Sequence, residues 1–271
     1  MICLPRVSII MGVYNAAERM DEAIKSIINQ TFTDWEFIIC DDGSTDNTYY
    51  RLLEWSKIDK RIIPIKNETN KGLAATLNHC ITYARGEYIA RMDDDDYSYP
   101  HRLEKQVEFL DKNKEYAFCS SIALLYDGDI TYAPQMNKKE KPEAKDFLFT
   151  SCFIHPATVF RAEELKKAGC YRVAKEITRT EDYDLFMRMY AMGMKGYNIQ
   201  EPLLRYFVNL DAMKKKRKYR HRIDEAIVRY KGFKALGLLP KGLPYVFKPL
   251  IVGLIPKNIL FMIKNKKYIN R

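Results

Sequence analysis

The chain has 271 residues, 47% hydrophobic and 30% charged, with only 12 glycines and 11 prolines, a balance that excludes disordered, collagen-like and low-complexity proteins and leaves room for a substantial core. The formal charge of +10 is uneven: residues 1–204 carry 27 Lys/Arg against 32 Asp/Glu, and residues 205–271 carry 18 against 3. A cationic excess confined to one end points to an anionic partner held there, a membrane surface or a nucleic acid.

Residues 6–13 form an apolar, β-branched run suited to a strand buried on both faces. Over residues 17–28 the period changes, with Met20, Ala23, Ile24, Ile27 and Ile28 at helical spacing, and residues 35–40 give a second strand. A helix over 45–56, with Ser44, Thr45 or Asp46 to cap it, leads to a strand at 61–66; a helix over 72–84 leads to a strand at 87–92. This alternation predicts an α/β fold, a mostly parallel sheet flanked by helices. Further on, the pattern gives a helix near 101–113, a strand near 116–124, an exposed polar loop over 135–145 and an amphipathic helix over 223–236. The apolar stretch 243–263 contains Lys248, Lys257 and three prolines, so it reads as interfacial, not membrane-spanning. The amino terminus lacks the pattern of a signal peptide, and the six scattered cysteines form no Cys-x-x-Cys pair, so a reduced, cytoplasmic setting is expected.

Ligands of such sheets bind beyond the carboxyl ends of the strands. Those ends are chemically rich here: Gly12-Val13-Tyr14-Asn15, Asp41-Asp42-Gly43-Ser44, Asn67-Glu-Thr-Asn-Lys-Gly72 and Asp93-Asp94-Asp95-Asp96. Neighbouring carboxylates about 5 Å apart repel by roughly 3 kcal/mol at an effective dielectric near 20. A hard divalent ion such as Mg²⁺ or Mn²⁺ relieves that repulsion and leaves positions for substrate phosphates. Two readings of the four aspartates stand: a cation site, or a solvated acidic turn capping the helix that begins near Pro100. The Asp41–Asp46 stretch is equally good turn and N-cap chemistry. Neither Gly-x-Gly-x-x-Gly nor Gly-x-x-x-x-Gly-Lys-Ser/Thr occurs, which argues against a dinucleotide oxidoreductase and a P-loop phosphotransferase.

Taken together, the motifs resemble those of family 2 glycosyltransferases of the GT-A fold, inverting enzymes that use nucleotide sugars, and most nearly the bacterial ones that build capsule, O-antigen or exopolysaccharide. The resemblance rests on Val7-Ser-Ile-Ile-Met-Gly-Val-Tyr-Asn15, Asp41-Asp-Gly-Ser-Thr-Asp46, Asn70-Lys-Gly72 with Asn78, Gly86-Glu-Tyr-Ile-Ala-Arg-Met-Asp-Asp-Asp-Asp96, His155-Pro-Ala-Thr-Val-Phe-Arg161 and Glu181-Asp-Tyr-Asp-Leu-Phe-Met-Arg188. It implies a donor-nucleotide site at Gly12, Tyr14, Asn15, Asp42 and Gly72, with Asp42 accepting from the base and Asp94 near the ribose. It implies Asp93 and Asp95 as the outer aspartates of the metal motif for Mn²⁺ or Mg²⁺, and Asp182 as general base. His155 and Glu181 would hold the acceptor or support the loop. Where the family often has Tyr-Arg-Val-His, this chain has Tyr206-Phe-Val-Asn209, which puts a third metal ligand in doubt.

The resulting expectation is a catalytic domain over residues 1–205 and a basic helical tail over 206–271. The tail's run Lys214-Lys-Lys-Arg-Lys-Tyr-Arg-His-Arg222 holds seven Lys/Arg. With the apolar segment that follows, it would attach the protein peripherally to the inner face of the membrane, near a lipid-linked or polysaccharide acceptor. No nucleic-acid module is recognised. A competing reading is a catalytically inactive nucleotide-sugar-binding partner protein at the membrane.

Overall fold

A computed structural model describes residues 4–127, 131–208 and 218–255. Strands β1 (Val7–Val13) and β2 (Trp35–Asp41) are almost wholly buried and pair in parallel, with Val7 opposite Trp35 and Val13 opposite Asp41. Between them α1 (Met20–Ile28) crosses one face; α2 (Thr48–Ile58) leads to β3 (Ile62–Lys66), parallel to β2. Helix α3 (Leu73–Tyr83) then delivers β4 (Tyr88–Arg91) to the other side of β1, again parallel. The side chains of β1 alternate as a strand requires. Ile10 packs with Ile38, Leu77 and Ile81 towards α3, while Ile9 and Met11 pack with Ile24, Ile27 and Leu103 on the opposite face. Each such buried aliphatic side chain contributes about 1.5–3 kcal/mol.

Beyond β4 the sheet becomes mixed. After the short β5 (Tyr97–Ser98) and α4 (Arg102–Lys112), β6 (Phe118–Tyr126) pairs antiparallel with β7 (Thr131–Met136) and β8 (Val159–Arg161), and parallel with β9 (Gly196–Phe207). The strand order is β3-β2-β1-β4-β8-β6-β9-β5, with β7 alongside β6. Helices α5 (Ala162–Lys167) and α6 (Glu181–Ala191) precede β9. An aromatic cluster fixes α6: Phe186 stacks on Phe118 at 5.2 Å and on Phe160 at 6.0 Å, and meets Phe153 at 5.0 Å. Because Phe186 lies one helical turn after Asp182, that cluster sets where the first turn of α6 points.

The polar stretch 135–145 is for the most part the exposed loop expected, with Asn137, Lys139, Glu140, Lys141, Glu143 and Lys145 exposed. Its start ends β7, and Lys138 turns inward so that its Nζ donates to the Ser151 carbonyl at 2.7 Å. Two further helices, α7 (Arg220–Ala235) and α8 (Leu243–Leu254), close the described chain, with α7 packed against α6. Among the described residues no helix is long and apolar enough to cross a membrane. Asn209, residues 214–217 of the basic run and residues 256–263 lie outside the described residues.

Candidate active site

The parallel register brings the ends of β1, β2 and β3 to one rim. There Asp42, 4% exposed, accepts from the N–H groups of Lys71 and Gly72, both at 2.8 Å, and from Asn67 Nδ2 at 2.8 Å. Its carboxylate thereby organises the loop entering α3, with one hydrogen bond on Oδ2 against two on Oδ1. Gly72 is the N-cap of α3 at φ 83°, and nothing lies within 4 Å of where a Cβ would project. Gly12 lies within β1, not in a turn, and faces Thr76 and Leu73 of α3 at 3.0 and 3.5 Å, so its missing side chain accommodates that helix. Asn15 is a loop clamp: its N–H donates to Ser44 Oγ at 2.9 Å and its Oδ1 accepts from the Thr45 N–H at 3.0 Å. Tyr14, 43% exposed, is left as an aromatic face on this rim.

Gly43 makes the rim possible. At φ 71° it lets two loops touch, and a Cβ there would stand 2.7 Å from the carbonyl carbon of Thr69 and 2.9 Å from the Asn70 nitrogen. Gly43→Ala should therefore destabilise the fold by about 1–3 kcal/mol and weaken donor binding through displacement of Asp42. Thermal denaturation and nucleotide titration of the variant would check both, and an unchanged melting temperature would rule the account out.

The four aspartates have four different environments. Asp93 pairs with the fully buried Arg91, and Asp94 Oδ2 accepts from Arg19 Nη2 at 2.8 Å and Nε at 3.2 Å. Arg19 also donates to the carbonyls of Tyr14 at 3.1 Å and Asn15 at 3.0 Å, joining the β1 rim to the acidic loop. Asp94 is thus engaged by a guanidinium at the place assigned to the ribose. Asp96 is buried and structural: Oδ1 accepts from the Phe207 N–H at 2.8 Å, holding the end of β9, while Oδ2 has no hydrogen-bond partner. Asp95 is exposed and has no ion-pair partner among the described residues. The protein packed around its carboxyl, and then the charges of Asp93 and Asp94, push its pKa up to about 7.

An unneutralised carboxylate beside a second one is where a cation is stabilising, and the donors are hard oxygens. Among the described residues no three His, Cys, Asp or Glu side chains form a ready-made cage. Mg²⁺ and Mn²⁺ held by one or two carboxylates and substrate phosphates need none. Asp93 and Asp95 fit such an ion.

Asp182 is the second residue of α6, whose N-cap is Thr180. It lines a cavity of about 140 Å³ with Thr150, Ser151, Arg179, Glu225 and Arg229. Burial raises the Asp182 carboxyl above the usual range, opposed by hydrogen bonds from the Tyr183 N–H and the Ser151 hydroxyl and by the Lys138 charge. Glu181 Oε1 accepts from the Arg179 N–H at 3.0 Å and so shapes the turn into α6. Asp184, in the same first turn, takes Arg172 at 2.7 Å and Arg188 at 2.8 Å and is structural. His155 meets the Tyr171 hydroxyl through Nε2 at 2.7 Å, and burial, reinforced by Arg91, lowers its pKa so that the ring is neutral. That arrangement supports the loop.

Two tyrosines tie these parts together. Burial raises the Tyr206 phenol, and the charges of Asp93, Asp96, Asp95 and Asp182 raise it further, so the acidic loop and the α6 carboxylate both act electrostatically on this side chain. Tyr171 likewise senses both Asp182 and Asp93, and its backbone is clamped by Asn78 of α3 at 2.7 and 3.0 Å. Arg19 thus joins the β1 rim to the acidic loop, and the charges of the acidic loop and of Asp182 both act on Tyr171 and Tyr206. Arg19, Arg91, Lys138, Ser151 and Tyr171 were not singled out from the sequence; their roles depend on partners 2 to 93 positions away.

A fold of this kind, with acidic residues at the sheet rim, is that of the GT-A glycosyltransferases. The profile described as glycosyl transferase family 2 matches residues 8–169, and the chain belongs to that family. EpsE of Bacillus subtilis (strain 168), named as a glycosyltransferase, is 37% identical over 268 residues, 98% of this chain and 96% of EpsE. The UDP-Glc:alpha-D-GlcNAc-diphosphoundecaprenol beta-1,3-glucosyltransferase WfaP of Escherichia coli is 32% identical over 197 residues, 71% of this chain and 73% of WfaP. The mannosyltransferase PcManGT of Pyrobaculum calidifontis, solved with GDP-Man and Mn²⁺, superposes with a TM-score of 0.65 at 18% identity, over 98% of this chain and 81% of PcManGT, a likeness of fold.

Proposed function

We propose that this glycosyltransferase moves a sugar, with inversion, from a UDP-sugar to a lipid-linked or polysaccharide acceptor in surface polysaccharide synthesis. The observation that carries the reading is the acidic loop Asp93–Asp96 tied by Arg19 to the Tyr14–Asn15 rim, in a chain of glycosyl transferase family 2. WfaP, whose name specifies a UDP-linked donor and a diphosphoundecaprenol acceptor, supports the choice of substrates.

In this reading Tyr14 and Asp42 receive the base, and Arg19 holds the base wall against the acidic loop. The Asp182 carboxylate takes the proton of the acceptor hydroxyl as its oxygen attacks the anomeric carbon. The bond to the diphosphate oxygen breaks on the opposite face, so one displacement inverts the centre. Burial favours this role, since a carboxylate of raised pKa is a stronger base for an alcohol. A bound Mn²⁺ or Mg²⁺, held by Asp93 and Asp95, supplies positive charge to the leaving diphosphate. We further infer that the basic tail attaches the protein peripherally to the inner face of the membrane.

The test is transfer from radiolabelled UDP-sugars to a diphosphoprenyl sugar acceptor, with and without a chelator. Product of inverted anomeric configuration is expected with Mn²⁺, with at least about a hundredfold loss after chelation. Transfer that persists unchanged in chelator would overturn the metal assignment, and retained configuration would overturn the mechanism.

A further inference from the structure

Helices α7 and α8 form an antiparallel pair. A Cβ on Gly253, near the end of α8, would stand 2.9 Å from the Tyr219 ring at the start of α7, while one on Gly242, before α8, would stand 3.0 Å from Phe233 near the end of α7. Val228, Phe233 and Val246 turn into the protein. The outward side has an unusual composition. Every exposed residue between 218 and 255 is a lysine or arginine, an aliphatic or aromatic residue, or Ala, Gly or Pro; no exposed acid, amide or hydroxyl side chain of Asp, Glu, Asn, Gln, Ser or Thr interrupts them.

The apolar members are ordered. On α7 and its N-cap, Tyr219, Ile223, Ile227 and Tyr230 are 42, 44, 37 and 46% exposed; on α8, Leu243, Phe247, Ile251 and Leu254 are 37, 53, 61 and 72% exposed. Both sets follow the spacing i, i+4, i+8, i+11, which draws one stripe along a helix. The exposed charges around them, Lys218, Arg220, Lys231, Lys234, Lys241 and Lys248, are all positive, Lys231 being paired with Glu176 at 2.8 Å. Stripes of large apolar side chains on two helices packed together, with cations as the only exposed charges, complement an anionic, partly apolar boundary.

We propose that the outer faces of α7 and α8 are the surface on which the protein lies against an anionic bilayer leaflet, the stripes entering the headgroup region and the cations meeting lipid phosphates. This deepens the membrane-surface reading above and rests on it. It also gives the surface a place in catalysis: Glu225 and Arg229 of α7 line the Asp182 cavity, so lipid touching Ile223 and Ile227 lies about one helix diameter, 10–12 Å, from that cavity. A lipid-linked acceptor reaches Asp182 while its chain stays in the leaflet.

Flotation of the full-length protein with vesicles of equimolar phosphatidylglycerol and phosphatidylcholine, or of phosphatidylcholine alone, tests the proposal. The protein should float with the anionic vesicles and be released as salt rises. Phe247→Ser combined with Ile251→Ser should lower binding at least about tenfold and leave transfer to a water-soluble acceptor analogue unchanged. Lys241→Glu with Lys248→Glu should weaken binding to the anionic vesicles. Undiminished flotation of the serine variant would overturn the proposal, as would a dimer in sedimentation equilibrium that the same substitutions dissociate, since the stripes would then belong to a second copy. Transfer by the parent in solution is scored separately: transfer without flotation rejects the surface and keeps the enzyme, while flotation without transfer keeps the surface and rejects the enzyme.

Discussion

Asp182→Asn is expected to lower the rate of sugar transfer by about 10²–10⁴-fold while leaving donor affinity within about twofold of the parent. The substitution preserves size and the oxygen that can accept from the Tyr183 N–H, so α6 should keep its position on the Phe118, Phe153 and Phe186 cluster. What is removed is the capacity to take a proton. Single-turnover transfer and a UDP titration separate the two quantities: loss of both would make Asp182 a structural residue, and retention of more than a tenth of the rate would remove it from the base role.

At Asp95 activity and stability should move in opposite directions. Asp95→Asn should reduce transfer by about 10²–10³-fold, the cost of losing one charged contact to a developing anion. The same change should stabilise the metal-free protein above neutral pH. With a folded pKa of about 7 against an ordinary value of 3.8, the native chain keeps a proton that the unfolded chain has already released between those values. Stability therefore declines as pH rises through this window, and the full penalty is present above it. Allowing for solvent screening of an exposed carboxylate, the gain at pH 8 should be about 1 kcal/mol, or about 2–4 °C in melting temperature, and should vanish towards pH 4. Adding Mn²⁺ with UDP should stabilise the parent and not the variant. A residue needed only for folding would lose activity and melting temperature together.

The parallel half of the sheet was legible because each of its strands is a mostly apolar run. Residues 6–13 and 35–40 announce β1 and β2 through their own composition, and the intervening residues declare α1 by period. The mixed half was harder to read. β8 has three residues and β5 two, too few to carry a period, and both are strands by virtue of what lies beside them. The same contrast governs the site. Four consecutive aspartates mark an acidic loop unmistakably, yet their division of labour depends on Arg19, Arg91 and the end of β9, none of which the local sequence supplies. Lys138 was hidden in a polar stretch because its inward turn is set by Ser151 and the Asp182 cavity.

Arg19 donates to the carbonyls of Tyr14 and Asn15 through Nη2 and Nη1, and to Asp94 through Nη2 and Nε. A rigid, planar side chain spanning two loops acts as a ruler, setting the gap between the aromatic face and the acidic loop before any ligand arrives. Loss of the guanidinium would remove these shared anchors and leave each loop to take its position independently.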